Sequence, residues 1–222
     1  MIKFNGKLSI IIPVYNEQKT ILNVVNQVRK YGTPIVIDDA STDNSKKIIK
    51  QNKILHFCNK NKLGYDKSLN IGFAKAKSLK FKYVITFDGD GQHYTKDLNR
   101  IIFYLRRNYD IVVGQRLKFQ RFSELIFSKF SIFFYNIKDP LTGLKGYNIR
   151  VYNALGYFDQ NQSTGTELLF YAVQKKFKIK KINISIKKRN DLPRFGNVLK
   201  SNLYIIRSMI LALINYYKFK VL

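Results

Sequence analysis

Short apolar runs alternate with helical periodicities along the first half of the chain. Five runs bounded by polar or turn-forming positions predict buried strands over residues 8–14, 34–39, 54–58, 83–87 and 111–114. Apolar residues at spacings of three and four predict helices over 17–29, 67–79 and 95–107, and residues 41–45 favour a further helix start. Strands and helices that alternate through short links predict an α/β fold, with a mostly parallel sheet covered by helices on both faces.

Acidic residues gather where three of the predicted strands end. Six of the 14 acids lie there: Glu17, Asp38, Asp39, Asp43, Asp88 and Asp90. A solvated surface would spread its charges along helices, whereas ligands of parallel sheets bind beyond the carboxyl ends of the strands. Like charges at one edge repel and raise one another's pKa unless a cation compensates them. The grouping therefore predicts a divalent metal at this edge.

The segment Asp88-Gly-Asp90 provides two carboxylates directly after a buried strand. Mg²⁺ commonly takes one or two carboxylates and completes its shell with phosphate oxygens and water. The alternative is a glycine-rich turn in which the aspartates accept hydrogen bonds from backbone amides. The neighbouring acids favour the metal over the turn.

The chain is strongly basic, with 40 Lys and Arg against 14 acids and a formal net charge of +26. This charge suits an anionic partner such as a nucleic acid, an anionic membrane or a phosphorylated substrate. A compositional bias explains it equally well, because the lysines are scattered along the chain. A nucleic-acid-binding module would cluster basic and aromatic residues on one face. Since the motifs gather acids instead, we expect no nucleic-acid partner.

Cysteine and histidine are too few for several kinds of site. Cys58 is the only cysteine and there are two histidines, which excludes an intrachain disulfide and makes an ordinary zinc site improbable. No charged-then-apolar signal precedes Leu8, and no run reaches the roughly 18–20 apolar residues of a spanning helix. We expect a cytoplasmic protein that sits peripherally on the cytoplasmic face of a membrane.

Four ordered motifs resemble those of family 2 inverting glycosyltransferases of the GT-A fold. They are Ile-Ile-Pro-Val-Tyr-Asn-Glu17, Ile-Asp-Asp-Ala-Ser-Thr-Asp43, Asn61-Lys-Leu-Gly-Tyr-Asp-Lys-Ser-Leu-Asn-Ile-Gly72 and Asp88-Gly-Asp-Gly-Gln-His93. Four further segments are similar to the dolichyl-phosphate mannosyltransferase, or polyprenyl-phosphate glycosyltransferase, branch: Val113-Gly-Gln-Arg116, Asp139-Pro-Leu-Thr-Gly143, Thr166-Glu-Leu-Leu169 and Arg194-Phe-Gly196. The resemblance covers about residues 8–200 and departs at Gln115, where the family usually has serine before the arginine.

The resemblance implies a GDP- or UDP-sugar donor and assigns residues to it. Pro13, Tyr15 and Glu17 would line the nucleoside pocket, Asp39 with its neighbour Asp38 would bind the base, and Lys62 and Gly64 would lie near the nucleotide. Asp88, Asp90 and Gln92 would hold Mg²⁺ or Mn²⁺ with the diphosphate. The implied reaction transfers the sugar with inversion.

The acceptor side is less closely defined. For a polyprenyl phosphate acceptor, the resemblance implies that Arg116 and Lys129 hold its phosphate, with Arg194 stabilising charge on the donor. A glycan hydroxyl acceptor is the alternative and would need a carboxylate base. Glu167 is the candidate for that base, although Thr164-x-x-Glu167 also reads as a helix-capping box. Asp139 is either a base or a turn residue before Pro140.

Two later segments suggest contact with a membrane or a membrane-anchored partner protein. Residues 125–135 are apolar apart from Lys129, which suits a lipid-facing helix or a core helix. Near the C-terminus a stripe recurs at helical spacing: Leu199, Leu203, Ile206, Ile210, Leu213 and Tyr217. Such a helix lies on an anionic membrane or packs back on the domain. We therefore divide the chain into a transferase domain over 7–196, with a nucleotide-sugar half over 7–115 and an acceptor half over 116–196, and an amphipathic helix over 197–222.

Overall fold

The computed structural model of the chain describes residues 7–119, 121–163, 165–187 and 198–221. Its strands are β1 Leu8–Val14, β2 Thr33–Asp38, β3 His56–Cys58, β4 Tyr83–Thr86, β5 Ile111–Arg116, β6 Lys145–Asn148 and β7 Ile179–Ile184. Its helices are α1 Ile21–Val28, α2 Ser45–Gln51, α3 Tyr65–Ser78, α4 Lys96–Arg106, α5 Phe122–Tyr135, α6 Ile149–Leu155, α7 Glu167–Gln174 and α8 Val198–Val221. The strands form one sheet in the order β3-β2-β1-β4-β6-β5-β7. All five predicted strands are present, and the predicted α/β class is confirmed.

The sheet is parallel except at β6. β1 pairs with β2 and β4, β2 with β3, and β5 with β7, all in parallel, whereas β6 runs antiparallel to both β4 and β5. The sequence did not predict β6, because Lys-Gly-Tyr-Asn carries no apolar run. Thr86 at the end of β4 pairs with Lys145 at the start of β6. The segment that precedes β6 therefore lies at the carboxyl end of β4.

Alternate side chains of each strand enter two separate cores. Ile10 and Ile12 of β1 pack with the apolar sides of α1 and α4, whereas Ile11 packs with α3 on the other face. Side chains that alternate across a strand explain why these central strands read as continuous apolar runs. Helices thus cover both faces, as predicted.

Helix α1 starts later than the sequence predicted. It begins at Ile21 and not at Glu17, whose carbonyl accepts the amides of Thr20 and Ile21 in a preceding turn. α2 begins at Ser45, within the segment 41–45 that favoured a helix start. The loops that lead into the two helices are tied together, because the hydroxyls of Ser41 and Ser45 accept the amides of Asn16 and Glu17 at 3.0 and 2.7 Å. These loops stay at the carboxyl edge of the sheet.

The C-terminal helix packs on the domain with the face opposite to the predicted stripe. α8 lies against α5 and α7, and it buries Ile205, Ala212 and Phe219. The hydroxyl of Tyr135 donates to the carbonyl of Ala212 at 2.8 Å. Four residues of the predicted stripe are exposed instead: Leu203, Ile206, Ile210 and Tyr217.

Gly72 on α3 allows this helix to approach β1 closely. A Cβ atom built on Gly72 would lie 2.4 Å from Cγ2 of Ile11. Gly72→Ala should improve helix propensity by about 1 kcal/mol, but overpacking against Ile11 should cost about 1–3 kcal/mol. We expect a net loss of stability of up to about 2 kcal/mol and a fall in Tm of up to about 8 °C, measured by thermal unfolding. Ala74→Ser, on the exposed side of the same helix, is the control. A rise in Tm for Gly72→Ala would contradict the close approach.

Candidate active site

A cavity of about 580 Å³ opens at the carboxyl edge of the sheet. Its volume lies within the range of about 300–1,000 Å³ that is usual for small-molecule sites. Most of the predicted site residues line it: Pro13, Tyr15, Glu17, Asp39, Lys62, Gly64, Asp88, Asp90, Gln92 and Arg116. Because β4 lies between β1 and β5 in the sheet, Asp88 and Asp90 separate the loops after β1 and β2 from Arg116 at the end of β5.

On the β1–β2 side, Asp39 organises the loop that carries Lys62. Its buried carboxylate accepts Asn59 Nδ2 and the amides of Leu63 and Gly64, each at 2.8 Å. Gly64 has φ +95°, a left-handed conformation that favours glycine. The loop places Lys62 Nζ 3.8 Å from the centroid of the Tyr15 ring. A cation therefore covers one face of Tyr15, a residue predicted to line the nucleoside pocket.

Asp88 at the centre is held by two donors. His93 Nε2 lies 2.9 Å from Oδ2, and the Tyr65 hydroxyl donates to Oδ1 at 3.1 Å. Burial alone would raise the pKa of Asp88, but the hydrogen bond and charge of His93, the hydrogen bond from Tyr65 and the charge of Lys145 together lower it below its ordinary value. The carboxylate lies against Gly143, where a Cβ would sit 2.0 Å from Oδ2. Asp88 is thus fixed and kept ionised.

Asp90 and Gln92 form a turn at the cavity wall. Asp90 Oδ1 accepts the amide of Gln92 at 3.0 Å, and Gln92 Nε2 donates to the carbonyl of Lys187 at 3.2 Å. Asp90 therefore forms the hydrogen-bonded turn that was the alternative to a metal site. It also lines the cavity. Across the described parts of the chain, no group of three or more His, Cys, Asp or Glu side chains is arranged to hold a metal ion. Two carboxylates in a cavity still suit Mg²⁺ or Mn²⁺ when phosphate oxygens and water complete the shell.

On the β5 side, Arg116 is engaged by buried acids. Its Nε and Nη2 donate to the two oxygens of Asp139 at 2.7 and 2.9 Å, and its backbone amide donates to Asp139 Oδ2 at 3.0 Å. Nη1 lies 3.5 Å from Oε2 of Glu124, which also pairs with Arg121 at 3.3 Å. Burial alone would lower the pKa of Arg116, but Asp139 and Glu124 raise it above its ordinary value. Asp139 therefore orients Arg116, and with both oxygens engaged it is poorly placed to act as a base.

Three of the predicted site residues that the structure describes do not line the cavity. Asp38 is buried, and its Oδ1 accepts the amide of Ser41 at 3.2 Å. Successive residues point to opposite faces of a strand, so only one of Asp38 and Asp39 reaches the cavity. Lys129 lies on the exposed face of α5. Arg194 lies outside the described residues.

Glu167, the third, is fully buried as the first residue of α7. Its oxygens accept the Tyr157 hydroxyl at 2.9 Å, the Gln160 amide at 2.9 Å and Asn161 Nδ2 at 3.2 Å. A carboxylate enclosed by these donors, outside the cavity lining, is unsuited to the role of a general base. The capping box is also wrong, because the N-cap of α7 is Thr166, while Thr164 lies outside the described residues.

Several cavity residues were not assigned a role from the sequence. His93 and Tyr65 lie within the quoted motifs, which was the signal that the sequence offered. Their contacts with Asp88 become visible only in the structure. Arg121, Glu124 and Tyr204 also line the cavity. Arg121 is the N-cap of α5, and Glu124 and Tyr204 lie on α5 and α8, where apolar spacing did not reveal which face points inward.

Asp139→Asn tests the orienting role of Asp139. The substitution removes the charge that compensates a buried guanidinium, so the free energy of unfolding should fall by about 3 kcal/mol, measured by urea denaturation. Arg150→Ala is the control: it breaks the Arg150–Asp110 pair, whose arginine side chain is 61% exposed, and should cost less than about 1 kcal/mol. Unchanged stability together with lost turnover would instead support Asp139 as a base.

Comparisons with known proteins agree with the resemblance. A family model described as "Glycosyl transferase family 2" matches residues 9–182. The UDP-N-acetylglucosamine–dolichyl-phosphate N-acetylglucosaminyltransferase of Methanococcus voltae is 33% identical over 129 residues, or 49% of this chain and 51% of that protein. The undecaprenyl-phosphate 4-deoxy-4-formamido-L-arabinose transferase of Proteus mirabilis is 27% identical over 50% of this chain and 37% of that protein. The match thus spans about half or less of these relatives.

Solved structures share the fold. Glucosyl-3-phosphoglycerate synthase from Mycobacterium tuberculosis, in complex with Mn²⁺, uridine-diphosphate and glucosyl-3-phosphoglycerate, has a TM-score of 0.73. The likeness covers 95% of this chain and 80% of that chain at 16% identity, which concerns the fold alone and confirms the predicted GT-A architecture. The family model matches well over half of this chain, which therefore belongs to glycosyl transferase family 2 and is a sugar-transferring enzyme.

Proposed function

We propose that this enzyme transfers a sugar, with inversion, from a nucleoside-diphosphate sugar to a polyprenyl phosphate in a metal-dependent reaction. The observation that carries the proposal is the order of groups along the cavity. Tyr15 and Lys62 lie on the β1–β2 side, Asp88 and Asp90 follow β4, and Arg116 lies at the end of β5. This order suits a nucleoside, a diphosphate and an anionic acceptor, in that sequence.

The surroundings of the two candidate bases favour a phosphate acceptor. The acceptor oxygen would attack the anomeric carbon, the bond from that carbon to the diphosphate would break, and the diphosphate would leave with the electron pair. A phosphate is already ionised at neutral pH, so this reaction needs no general base. Neither former base candidate is suited to that task, since Glu167 is enclosed by donors and Asp139 is engaged by Arg116. The relatives named for dolichyl-phosphate and undecaprenyl-phosphate substrates support the same acceptor class.

Asp88, Asp90 and Gln92 would hold the metal on the donor side. A bound Mg²⁺ or Mn²⁺ offsets negative charge on the diphosphate leaving group. The lowered pKa of Asp88 keeps that carboxylate ionised, which suits a ligand of a hard cation. The named structural neighbour contains Mn²⁺ and UDP, which supports a divalent ion on the donor side.

Asp90→Ala should abolish transfer while leaving the fold intact. We expect turnover to fall by at least about 100-fold, because charge on the leaving group would lose its compensation. The measurement uses a panel of UDP- and GDP-sugars with undecaprenyl phosphate, with Mg²⁺, with Mn²⁺ or with a chelator. Chelation should reproduce the loss in the unmodified protein, and the Tm of the variant should match it. Substantial activity in Asp90→Ala would contradict the metal role.

We further propose that α5 and α8 present an interfacial surface to the membrane that holds the acceptor. The interfacial surface is defined by exposed apolar side chains on both helices: Phe122, Leu125, Ile126, Ile132, Phe133, Leu203, Ile206, Ile210, Ile214 and Tyr217. Lys129, Arg207 and Lys218 are exposed on the same two helices. Apolar side chains flanked by cations favour an anionic lipid interface. No helix in the described parts of the chain is long and apolar enough to cross a bilayer.

Phe122→Glu combined with Phe133→Glu should weaken binding to the membrane. The two side chains are 73% and 83% exposed, so Tm should stay nearly unchanged. Sedimentation with vesicles that contain phosphatidylglycerol should recover much less of this variant than of the unmodified protein. The control is Leu55→Glu with Leu79→Glu, which adds the same charge at exposed apolar positions outside the interfacial surface. If both double variants lose vesicle binding equally, the cause is the lower net positive charge and not the interfacial surface.

A further inference from the structure

We propose that Arg121, acting beside Arg116, binds the phosphate of the acceptor, and that Glu124 holds Arg121 in place before the acceptor arrives. The inference rests on the proposed function and specifies its acceptor site. It replaces Lys129, the second cation implied by the sequence, with a residue to which the sequence assigned no role.

Arg116 alone offers an incoming phosphate few free donors. Its guanidinium is 13% exposed, and Nε and Nη2 are bound to Asp139 at 2.7 and 2.9 Å. A guanidinium has five N–H donors, and Arg116 uses two of them on Asp139 while a third group faces Glu124 at 3.5 Å. Arg116 is therefore held rigidly at the edge of the cavity, and a second cation is needed there to bind a dianion.

Arg121 has the position and the donors for that task. It lines the cavity together with Arg116, and its side chain is 23% exposed. Its side chain meets Glu124 Oε1 at 3.3 Å, a longer contact than those between Arg116 and Asp139. Lys129 lies two helical turns further along α5, on the exposed face. Of the two cations, Arg121 is the one that can reach an acceptor in the cavity.

Glu124 contacts both arginines on the acceptor side of the cavity. Glu124 is 4% exposed and faces both guanidinium groups at 3.3 and 3.5 Å, whereas Asp139 binds one of them closely. An acceptor phosphate would therefore bind Arg121 in the orientation that Glu124 gives it and leave the Arg116–Asp139 pair intact. Glu124 is thus a positioning residue for Arg121.

The alternative role for Glu124 is that of a general base. It is an acid that lines the cavity on the acceptor side, as a hydroxyl acceptor would require. The two roles predict different effects of Glu124→Gln. Loss of the carboxylate that positions Arg121 should raise the acceptor KM severalfold with little change in kcat, whereas loss of a base should abolish kcat.

The test compares variants in steady-state transfer to a water-soluble short-chain isoprenyl phosphate. Arg121→Ala should raise the acceptor KM by about 10- to 100-fold, because hydrogen bonds to a charged group are lost, while the donor KM stays within about twofold. Arg121→Lys should recover part of the affinity, since lysine keeps the charge without the fork of donors. Arg29→Ala, an exposed arginine at the end of α1, is the matched control. Thermal unfolding of each variant checks that the fold is retained.

The outcomes separate this inference from the proposed function. If the unmodified protein transfers sugar to no lipid phosphate, the proposed function is wrong. If it transfers sugar and Arg121→Ala behaves like Arg29→Ala, only the role of Arg121 is wrong. A raised acceptor KM in Lys129→Ala, without one in Arg121→Ala, would return the role to Lys129. A loss of kcat in Glu124→Gln at unchanged KM would make Glu124 a base and overturn the inference.

Discussion

Compensation of the carboxylates at one edge of the sheet is the constraint on which the rest of this structure depends. Buried like charges destabilise a fold unless each has its own donors or cations. Asp39 binds loop amides, Asp88 is held by His93 and Tyr65, and Asp139 is paired with Arg116. Each set of partners also fixes a part of the cavity: the loop that carries Lys62, the Asp88 carboxylate after β4, and Arg116 at the end of β5. The geometry of the site therefore follows from the way its charges are balanced.

The first half of the fold was predictable because its signals are local. Five buried strands read as apolar runs, and the residues after β1, β2 and β4 share one edge by the geometry of parallel strands. The same reasoning could not choose between Asp38 and Asp39, because that choice depends on which face of a strand turns toward the cavity. It also started α1 four residues early, since hydrogen bonds between the loops after β1 and β2 outweigh local helix preference.

The second half was less predictable because its signals depend on tertiary contacts. β6 is short and contains the buried Lys145, whose pKa falls to about 8 because burial penalises its charge. α5 is apolar on both faces, so periodicity alone could not place Lys129 outward and Glu124 inward. Glu167 seemed chemically suitable as a base, yet its donors come from residues 157–161 in the preceding turn. These assignments require the packed structure.

The C-terminal helix connects the exterior of the enzyme to its cavity. Tyr204 and Ile205 of α8 line the cavity, and the Tyr204 hydroxyl donates to Asp66 in the first turn of α3 at 3.3 Å. Leu203 and Ile206, in the same helical turn, are exposed to the outside. Only the width of one helix, about 10 Å, separates these two environments. A displacement of α8 that starts at its exposed face therefore moves a wall of the cavity.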